Sequence, residues 1–507
     1  MTDKSDELGS SHKANNPMDR RTVLGSGAAM VGGLIAAQML PGAAKAAAAK
    51  QPAAPPPNTF TVGIVGEAMV TRSFSMQTEP EFLGIRKLLQ DSDLAYGHME
   101  MNIVADDEMK WTPRGPVGQA GYLYAPPQIA KDLKWLGLDA MSLAQNHSLD
   151  WGPEGLLGTI RHCEDNGIGH AGTGINLEVA RAPGFFEVEK GRMALVSIAS
   201  GNNAYEWAGY AKGKHPGRPG VNPMRMRTIN RVTKAAADQL KGVARSLGNN
   251  NPRLADLKEF SIGGGAAGVG ATGFTGAVYQ ESDHFEITSE AFPADVRANL
   301  RSVDEAAKMA DFVLVAQHNS TSEAGRGTKP SAFIVDFARK AIDAGADMYL
   351  GHGWHTFLGI EIYKGKPIFY GLGSFFWESQ WITDVPADEF ESYNVDMDNL
   401  SAVNVAVGNL HPEGSDDWGW SAVYQCRYVD KKLTEIVLHP IEMGFDFSGP
   451  KPVRNRQIGK GDMKYLDGSP RLATGANGQA ILEKLAKVCQ ERGTRLEIKD
   501  GVGTIRV

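Results

Sequence analysis

Short apolar, β-branched runs that end in a turn carrying glutamate, asparagine or histidine recur along this chain, and segments of helical spacing separate them. The first, Thr59-Phe60-Thr61-Val62-Gly63-Ile64-Val65, runs into Gly66-Glu67. The pattern returns at Leu94–Tyr96 before Gly97-His98-Met99-Glu100 and at Ala140–Leu143 before Ala144-Gln145-Asn146-His147. It returns again at Phe312–Ala316 before Gln317-His318 and at Met348–Leu350 before Gly351-His352, with a further apolar run at Ala194–Ile198. Runs of this length with little polar interruption fit strands buried on both faces. Between them, Gln128–Leu136, Pro153–Asn166 and Ser331–Ala344 space apolar residues as a helix does. Alternating strands and helices define an α/β chain built on a largely parallel, layered sheet.

Residues 202–296 break this rhythm and read as an insertion or lid. They hold Arg218-Pro219-Gly220-Val221-Asn222-Pro223, an expected helix from Thr228 to Leu247, and a glycine-rich stretch from Ile262 to Gly276. No Gly-Lys-Ser/Thr closes that stretch and no clear strand leads into it, which argues against a nucleotide cradle and for a surface loop. In the last third, Phe369–Phe376, Trp420–Val429 and Leu433–Leu438 read as strands of a second β layer. Residues 420–507 form a β/α extension that covers it, with a helix from Gly478 to Arg492 and a closing β segment from Arg495.

The first 46 residues stand outside that fold. Arg20-Arg21-Thr22-Val23-Leu24 precedes a mildly apolar, Gly- and Ala-rich stretch to Leu40, and Ala44-Lys45-Ala46 offers a small-residue cleavage site. This is the pattern of a twin-arginine export signal; the alternative, an uncleaved anchor, is disfavoured by the glycines and the short apolar length. Residues 47–58 make a Pro/Ala linker, and 59–507 one large domain. Export places the mature chain in the periplasm or outside the cell, with no membrane span left after cleavage. Cleavage removes five basic and four acidic side chains, taking the net charge from −7 to −8, which argues against nucleic acid as a partner. Cys163, Cys426 and Cys489 are too few and too scattered for a disulfide framework or a cysteine-rich zinc site, and whether Cys426 and Cys489 pair is left open. Any metal site must draw on histidine, asparagine and carboxylates.

Five of the 12 histidines, His98, His147, His318, His352 and His355, fall just beyond the carboxyl ends of expected strands, where an α/β sheet borders its ligand crevice. Glu67, Glu100 and Asn146 fall in the same kind of place. Singly, each such histidine can satisfy a buried backbone group; jointly they make a set suited to one or two divalent ions of zinc, manganese or iron type. Such ions activate water and stabilise developing charge. Glu67, His98, Glu100, Asn146, His318, His352 and His355 are the candidate ligands, and His147 the candidate catalytic acid or charge clamp. Tyr122, Tyr124, Tyr205, Trp207, Trp354 and Trp377 are candidates for lining a pocket.

Several ordered motifs resemble the CapA family of capsule and poly-γ-glutamate proteins. They are Leu138 to Gly152, containing Gln145-Asn146-His147 and Asp150-Trp151-Gly152; Gly172 to Arg181; Gly345-Ala346-Asp347; Gly351-His352-Gly353-Trp354-His355; and Ile360 to Tyr370. The resemblance implies a four-layered α/β/β/α, calcineurin-like metallophosphatase architecture, and a role linked to poly-γ-glutamate or capsule metabolism. The chain departs from the family pattern in several places. Gly-Asp is Gly66-Glu67, Asn-Leu-Glu is His98-Met99-Glu100, Asn-Asn-His is Gln145-Asn146-His147, and His-Trp-Gly is His318-Asn319-Ser320. Gly-His-His-Pro-His loses its middle histidine to Gly353, and Ser-Leu-Gly-Asn-Phe becomes Gly371-Leu372-Gly373-Ser374-Phe375.

The functional expectation is a metal-dependent hydrolase of an amide or phosphoester bond in an envelope or extracellular substrate. A second reading is a non-catalytic protein that binds or guides an anionic polymer, for which Lys212, Lys214, Arg218, Arg225 and Arg227 would be the basic patch. A third, a phosphodiesterase, rests on fold analogy.

Overall fold

The computed structural model describes residues 58–109, 122–249, 251–261, 276–319, 329–378, 419–443 and 468–507. The export signal, the linker up to residue 57 and residues 262–275 of the glycine-rich stretch lie outside the described residues.

The chain is a mixed α/β structure with several sheets. In the largest, the strands run in the order Glu497–Lys499, Val502–Arg506, Lys432–Glu442, Trp420–Val429, Thr59–Met69, Leu94–Met99, Ala140–Ser142 and Gly169–Ala171. From Thr59–Met69 onward the pairing is parallel, while Trp420–Val429 joins Thr59–Met69 antiparallel. The second sheet runs Phe357–Tyr363, Lys366–Leu372, Met348–His352, Phe312–Asn319, Gly191–Ser200 and Gly184–Val188.

Side chains alternate along a strand, so each central strand sends one set of apolar residues to each face. One core cluster joins Val62, Ile64, Leu94 and Tyr96 of the first sheet to Leu195, Leu314, Ala316, Met348 and Leu350 of the second. Val65, Met99 and Met141 point the other way, into a core with Phe82, Leu89, Ile129 and Leu133 of two helices, Pro80–Gln90 and Gln128–Leu136. Val196, Val313, Val315 and Tyr349 likewise pack with Val303 and Phe337 of helices Pro293–Met309 and Ala332–Asp343. Helix Gly475–Gln490 adds Ile481, Leu482, Leu485 and Val488 to the core shared by the two sheets. Cys426 and Cys489 are buried in that same core as free thiols.

Several sequence expectations shift. Phe369–Phe376 is not one strand: Lys366–Leu372 belongs to the second sheet and Ser374–Trp377 pairs with Thr59–Met69 in the first. The chain crosses between them at Gly373, whose φ of 78° lies in the left-handed region that glycine tolerates. Trp420–Val429 and Lys432–Glu442 are not a separate layer either, because they extend the first sheet beside its opening strand. The expected helix from Thr228 begins six residues late. Met226–Thr233 is a strand, rich in the β-branched Thr228, Ile229, Val232 and Thr233, and the helix is Lys234–Ser246, capped by the Thr233 hydroxyl on the Ala236 N–H. That strand is part of a small sheet with Glu259–Phe260, Gly276–Ser282 and Glu286–Ala291.

The tightest backbone approach is beside Glu67. Gly66 sits against the Gly373 carbonyl, which also accepts the Glu67 N–H at 3.2 Å, and a Cβ on Gly66 would overlap that oxygen. Gly66→Ala must therefore push two strands apart, and we expect it to lower unfolding free energy by roughly 3 kcal/mol. A urea midpoint within error of the parent protein would show that the strands can separate freely there.

Candidate functional site

The stripes that fill the space between the two sheets end on polar residues at one shared end. Leu94 and Tyr96 lead to His98, Leu314 and Ala316 to His318, and Met348 and Leu350 to His352. The three histidines are therefore the inward residues at the ends of their strands rather than loop residues beyond them, because each strand pairs about two residues further than its apolar run. Glu67 reaches the same face by another route. The register between Thr59–Met69 and Leu94–Met99 slips between Ile64 and Glu67, which re-aims the side chain after Val65 has pointed to the helices.

The register lines these residues up. Ser374, Glu67, His98 and Ser142 are neighbours across the first sheet, and His318 pairs with His352 in the second. Glu100 follows its strand, with its N–H donating to the Ala68 carbonyl at 3.1 Å. His355 comes from the turn after His352, where Gly353 has a φ of 99° and His355 one of 56°. The Gly353 N–H donates to Glu67 Oε1 at 2.6 Å, and a Cβ at Gly353 would stand 2.6 Å from the Asn319 carbonyl oxygen. The loss of the family's middle histidine is thus tied to a backbone that needs glycine here.

Within the site, His355 Nδ1 lies 3.0 Å from Glu67 Oε2 and its Nε2 lies 3.5 Å from Glu100 Oε1. His318 Nε2 is 3.8 Å from that same Glu100 oxygen, and His352 Nδ1 is 3.8 Å from Glu67 Oε1. Two groups bring one ligand atom per residue within 4.8 Å of one another: His98, Glu100 and His318, and Glu67, Glu100 and His355. Glu100 belongs to both. His98 stacks on His352 at 4.2 Å and on His318 at 5.1 Å. Both of its ring nitrogens already have partners, Ser142 Oγ at 2.6 Å and His318 Nδ1 at 3.0 Å.

Among the described residues, Glu100 Oε2, His318 Nε2 and His352 Nδ1 of this cluster have no hydrogen-bond partner, and neither has Asn146 Oδ1. Leaving such an atom unsatisfied costs about 1–3 kcal/mol. All four belong to residues expected as ligands, and nitrogen and oxygen donors in this mixture suit a borderline divalent ion. The residues present therefore fit a metal.

Electrostatics agree. Burial, and next the neighbouring Glu67 and Asp150, hold the Glu100 carboxyl well above its usual range. Burial pushes His98 and His318 well below theirs, and burial with His355 nearby pushes His352 down to about 3. A neutral imidazole offers a cation a lone pair on one ring nitrogen without first losing a proton.

His147 is anchored by its Nδ1, 2.8 Å from Asp150 Oδ2, and its N–H donates to the Gln145 side chain. Asp150 is fully buried and also accepts from the Leu123 N–H at 2.9 Å. Sequence reasoning gave Asp150 no role, although its spacing three residues after His147 was a usable signal. It missed Tyr96 and Ser142 as well, since their partners lie on other strands. Of the candidate aromatics, Trp377 stands edge-on to His355 at 4.7 Å, whereas Tyr122 and Tyr124 pack on Trp151 and Trp354 joins the helix-side core. The basic patch is largely consumed by internal pairs: Arg225 with Asp295 at 2.7 Å, and Arg227 with Glu259 and Glu290. Arg218 donates to the carbonyls of Trp207 and Ala204.

Residues 39–379 match the bacterial capsule synthesis protein family PGA_cap, and the chain belongs to that family. The protein y4sH of Sinorhizobium fredii is 34% identical over 460 residues, covering 88% of this chain and 93% of that one. The capsule biosynthesis protein CapA of Bacillus anthracis is 22% identical over 381 residues, 74% of this chain and 73% of that one. The PGA biosynthesis protein CapA of Bacillus subtilis is 36% identical over 94 residues, 18% of this chain and 24% of that one. No helix among the described residues is long and apolar enough to cross a membrane.

The buried histidines carry a pH dependence in the metal-free protein. Below about pH 6.5 the unfolded chain takes up protons at His98, His318 and His352 that the folded chain refuses, so stability falls as pH falls. Glu100 acts oppositely, favouring the fold as pH falls toward the carboxylate range, but it is one group against three. We expect a lower urea midpoint at pH 5 than at pH 7; an equal or higher one would contradict this protonation pattern.

Proposed function

We propose that this capsule-family protein is an exported, metal-dependent hydrolase that cleaves an amide or phosphoester bond in an envelope or extracellular substrate, with γ-glutamyl polymers the first candidate. The observation that carries this reading is the set of four buried, unpartnered ligand atoms on Glu100, Asn146, His318 and His352. Most buried polar atoms are hydrogen-bonded, so several unpartnered ones on expected ligands support a bound group there. Glu100, common to both ligand groups, would hold the ion or ions together with His318, Glu67 and His355. One or two ions of zinc, manganese or iron type suit these donors. A bound divalent ion supplies Lewis acidity and neutralises developing negative charge. His98 belongs to one of the ligand groups, and its ring nitrogens also meet Ser142 and His318, so it would hold an ion only by giving up one of those contacts.

His147 does the protein's own acid-base work. With Nδ1–H donating to the buried Asp150, Nε2 is left to accept a proton, and once protonated to return it to an oxygen of the substrate or leaving group. The two sheets with helices on their outer faces we read as the α/β/β/α metallophosphatase-like architecture, which suits a site at the shared strand ends. The twin-arginine motif supports export of an already folded, metal-loaded chain. Internal pairing of Arg225 and Arg227 weighs against the reading of this protein as a mere polymer binder.

Glu100→Ala removes a ligand from both groups. Elemental analysis of the purified mature protein is expected to find about one metal ion or more per chain, falling to trace levels in the variant with the far-ultraviolet spectrum unchanged. Hydrolysis, screened on γ-glutamyl polymers, peptides and an aryl phosphodiester, should fall on the order of 100-fold or more, beyond the loss typical of residues that only support a ligand. Full metal content in the variant, or trace metal in the parent, would refute the reading.

A further inference from the structure

The two unpartnered histidine nitrogens are the outer ends of one continuous hydrogen-bonded chain. His318 Nδ1 lies 3.0 Å from His98 Nε2, and His98 Nδ1 lies 2.6 Å from Ser142 Oγ. Ser142 Oγ lies 2.6 Å from the Tyr96 hydroxyl, which in turn lies 2.9 Å from His352 Nε2. All five side chains are buried, at 1% exposure or less. Beyond the chain, His318 Nε2 and His352 Nδ1 have no hydrogen-bond partner among the described residues.

Counting protons fixes what such a chain can do. Each of the five neutral groups carries one N–H or O–H proton. Four protons fill the four links, so the fifth must sit on an outer nitrogen. When every link points one way, His318, His98 and His352 are all protonated at Nε2, and the lone pair faces outward at His352 Nδ1. When every link points the other way, all three are protonated at Nδ1, and the lone pair faces outward at His318 Nε2. Any mixed arrangement sets two donors or two acceptors against each other at some link, or leaves a buried donor unmatched, at about 1–3 kcal/mol.

We propose that Ser142 and Tyr96 are positioning residues that lock His98, His318 and His352 into one shared tautomer, so that only one of the two outer nitrogens offers a lone pair at a time. Its bearing on metal binding rests on the reading above; the lock itself does not. His318 and His352 are then alternative ligands, and engaging both at once requires the chain to give up one proton. The departures from the family pattern gain a purpose, because His98, which stands where the family has asparagine, is the central link.

The test is nitrogen NMR of the metal-free mature protein labelled with 15N-histidine, with resonances assigned by single-histidine variants. The expected result is one tautomer shared by His98, His318 and His352. In Tyr96→Phe the link to His352 is cut; His98 and His318 should stay matched, while His352 ceases to follow them when one equivalent of Zn²⁺ is added. Opposite tautomers at His98 and His318 or His352 in the parent protein would overturn the proposal. So would a His352 that still tracks the other two through the zinc addition in Tyr96→Phe. Zinc that shifts none of the parent's three histidines would sink the metal reading alone, since the metal-free spectra decide the lock. Should Tyr96→Phe fail to fold, the parent spectrum still decides it.

Discussion

Two sheets share one core, and at one end of that core the apolar stripes give way to glutamate and histidine. Closing the sheets there takes Glu67, His98, Glu100, His318 and His352 out of water together, and each must find a partner or remain a cost. Much of the local structure answers that demand. The register slip after Ile64 turns Glu67 inward, Gly66 lets its strand press against Gly373, and the left-handed Gly353 brings an N–H to Glu67 Oε1. The Ser142 and Tyr96 hydroxyls supply partners for His98 and His352. What remains unanswered in this cluster, among the described residues, is Glu100 Oε2, His318 Nε2 and His352 Nδ1.

Burial also prepares the chemistry. The same desolvation lowers the proton affinity of three imidazoles and raises that of the Glu100 carboxyl, so bringing charge into this site is costly unless an opposite charge meets it. A cation that meets Glu100 and a histidine would stabilise the fold by mass action.

The α/β class and three helices were legible in the sequence because strand burial and helical spacing leave periodic signals, and of the expected ligands Glu67, His98, Glu100, His318 and His355 lie together. Gln128–Leu136 has the same bounds in sequence and structure. The limits of the strands were less legible. His98, His318 and His352 are polar, so an apolar run appears to stop before them, although backbone pairing carries on through them. Thr228–Thr233 mimicked a helix start because the capping threonine and the strand are contiguous. The basic patch looked free because its acidic partners are distant in sequence, with Asp295 lying 70 residues from Arg225. The Tyr96 and Ser142 hydroxyls gave no signal at all, since their meaning depends on which strands stand side by side.

The proposed cation site lies where Glu100 joins the two ligand groups. Anomalous X-ray scattering from crystals of the mature protein, recorded on both sides of the absorption edge of the metal it carries, measures this directly. The account calls for a peak within bonding distance of Glu100 and of at least one of His318 and His355. Crystals with no anomalous peak among Glu67, Glu100, His318, His352 and His355, from protein never exposed to chelator, would contradict it.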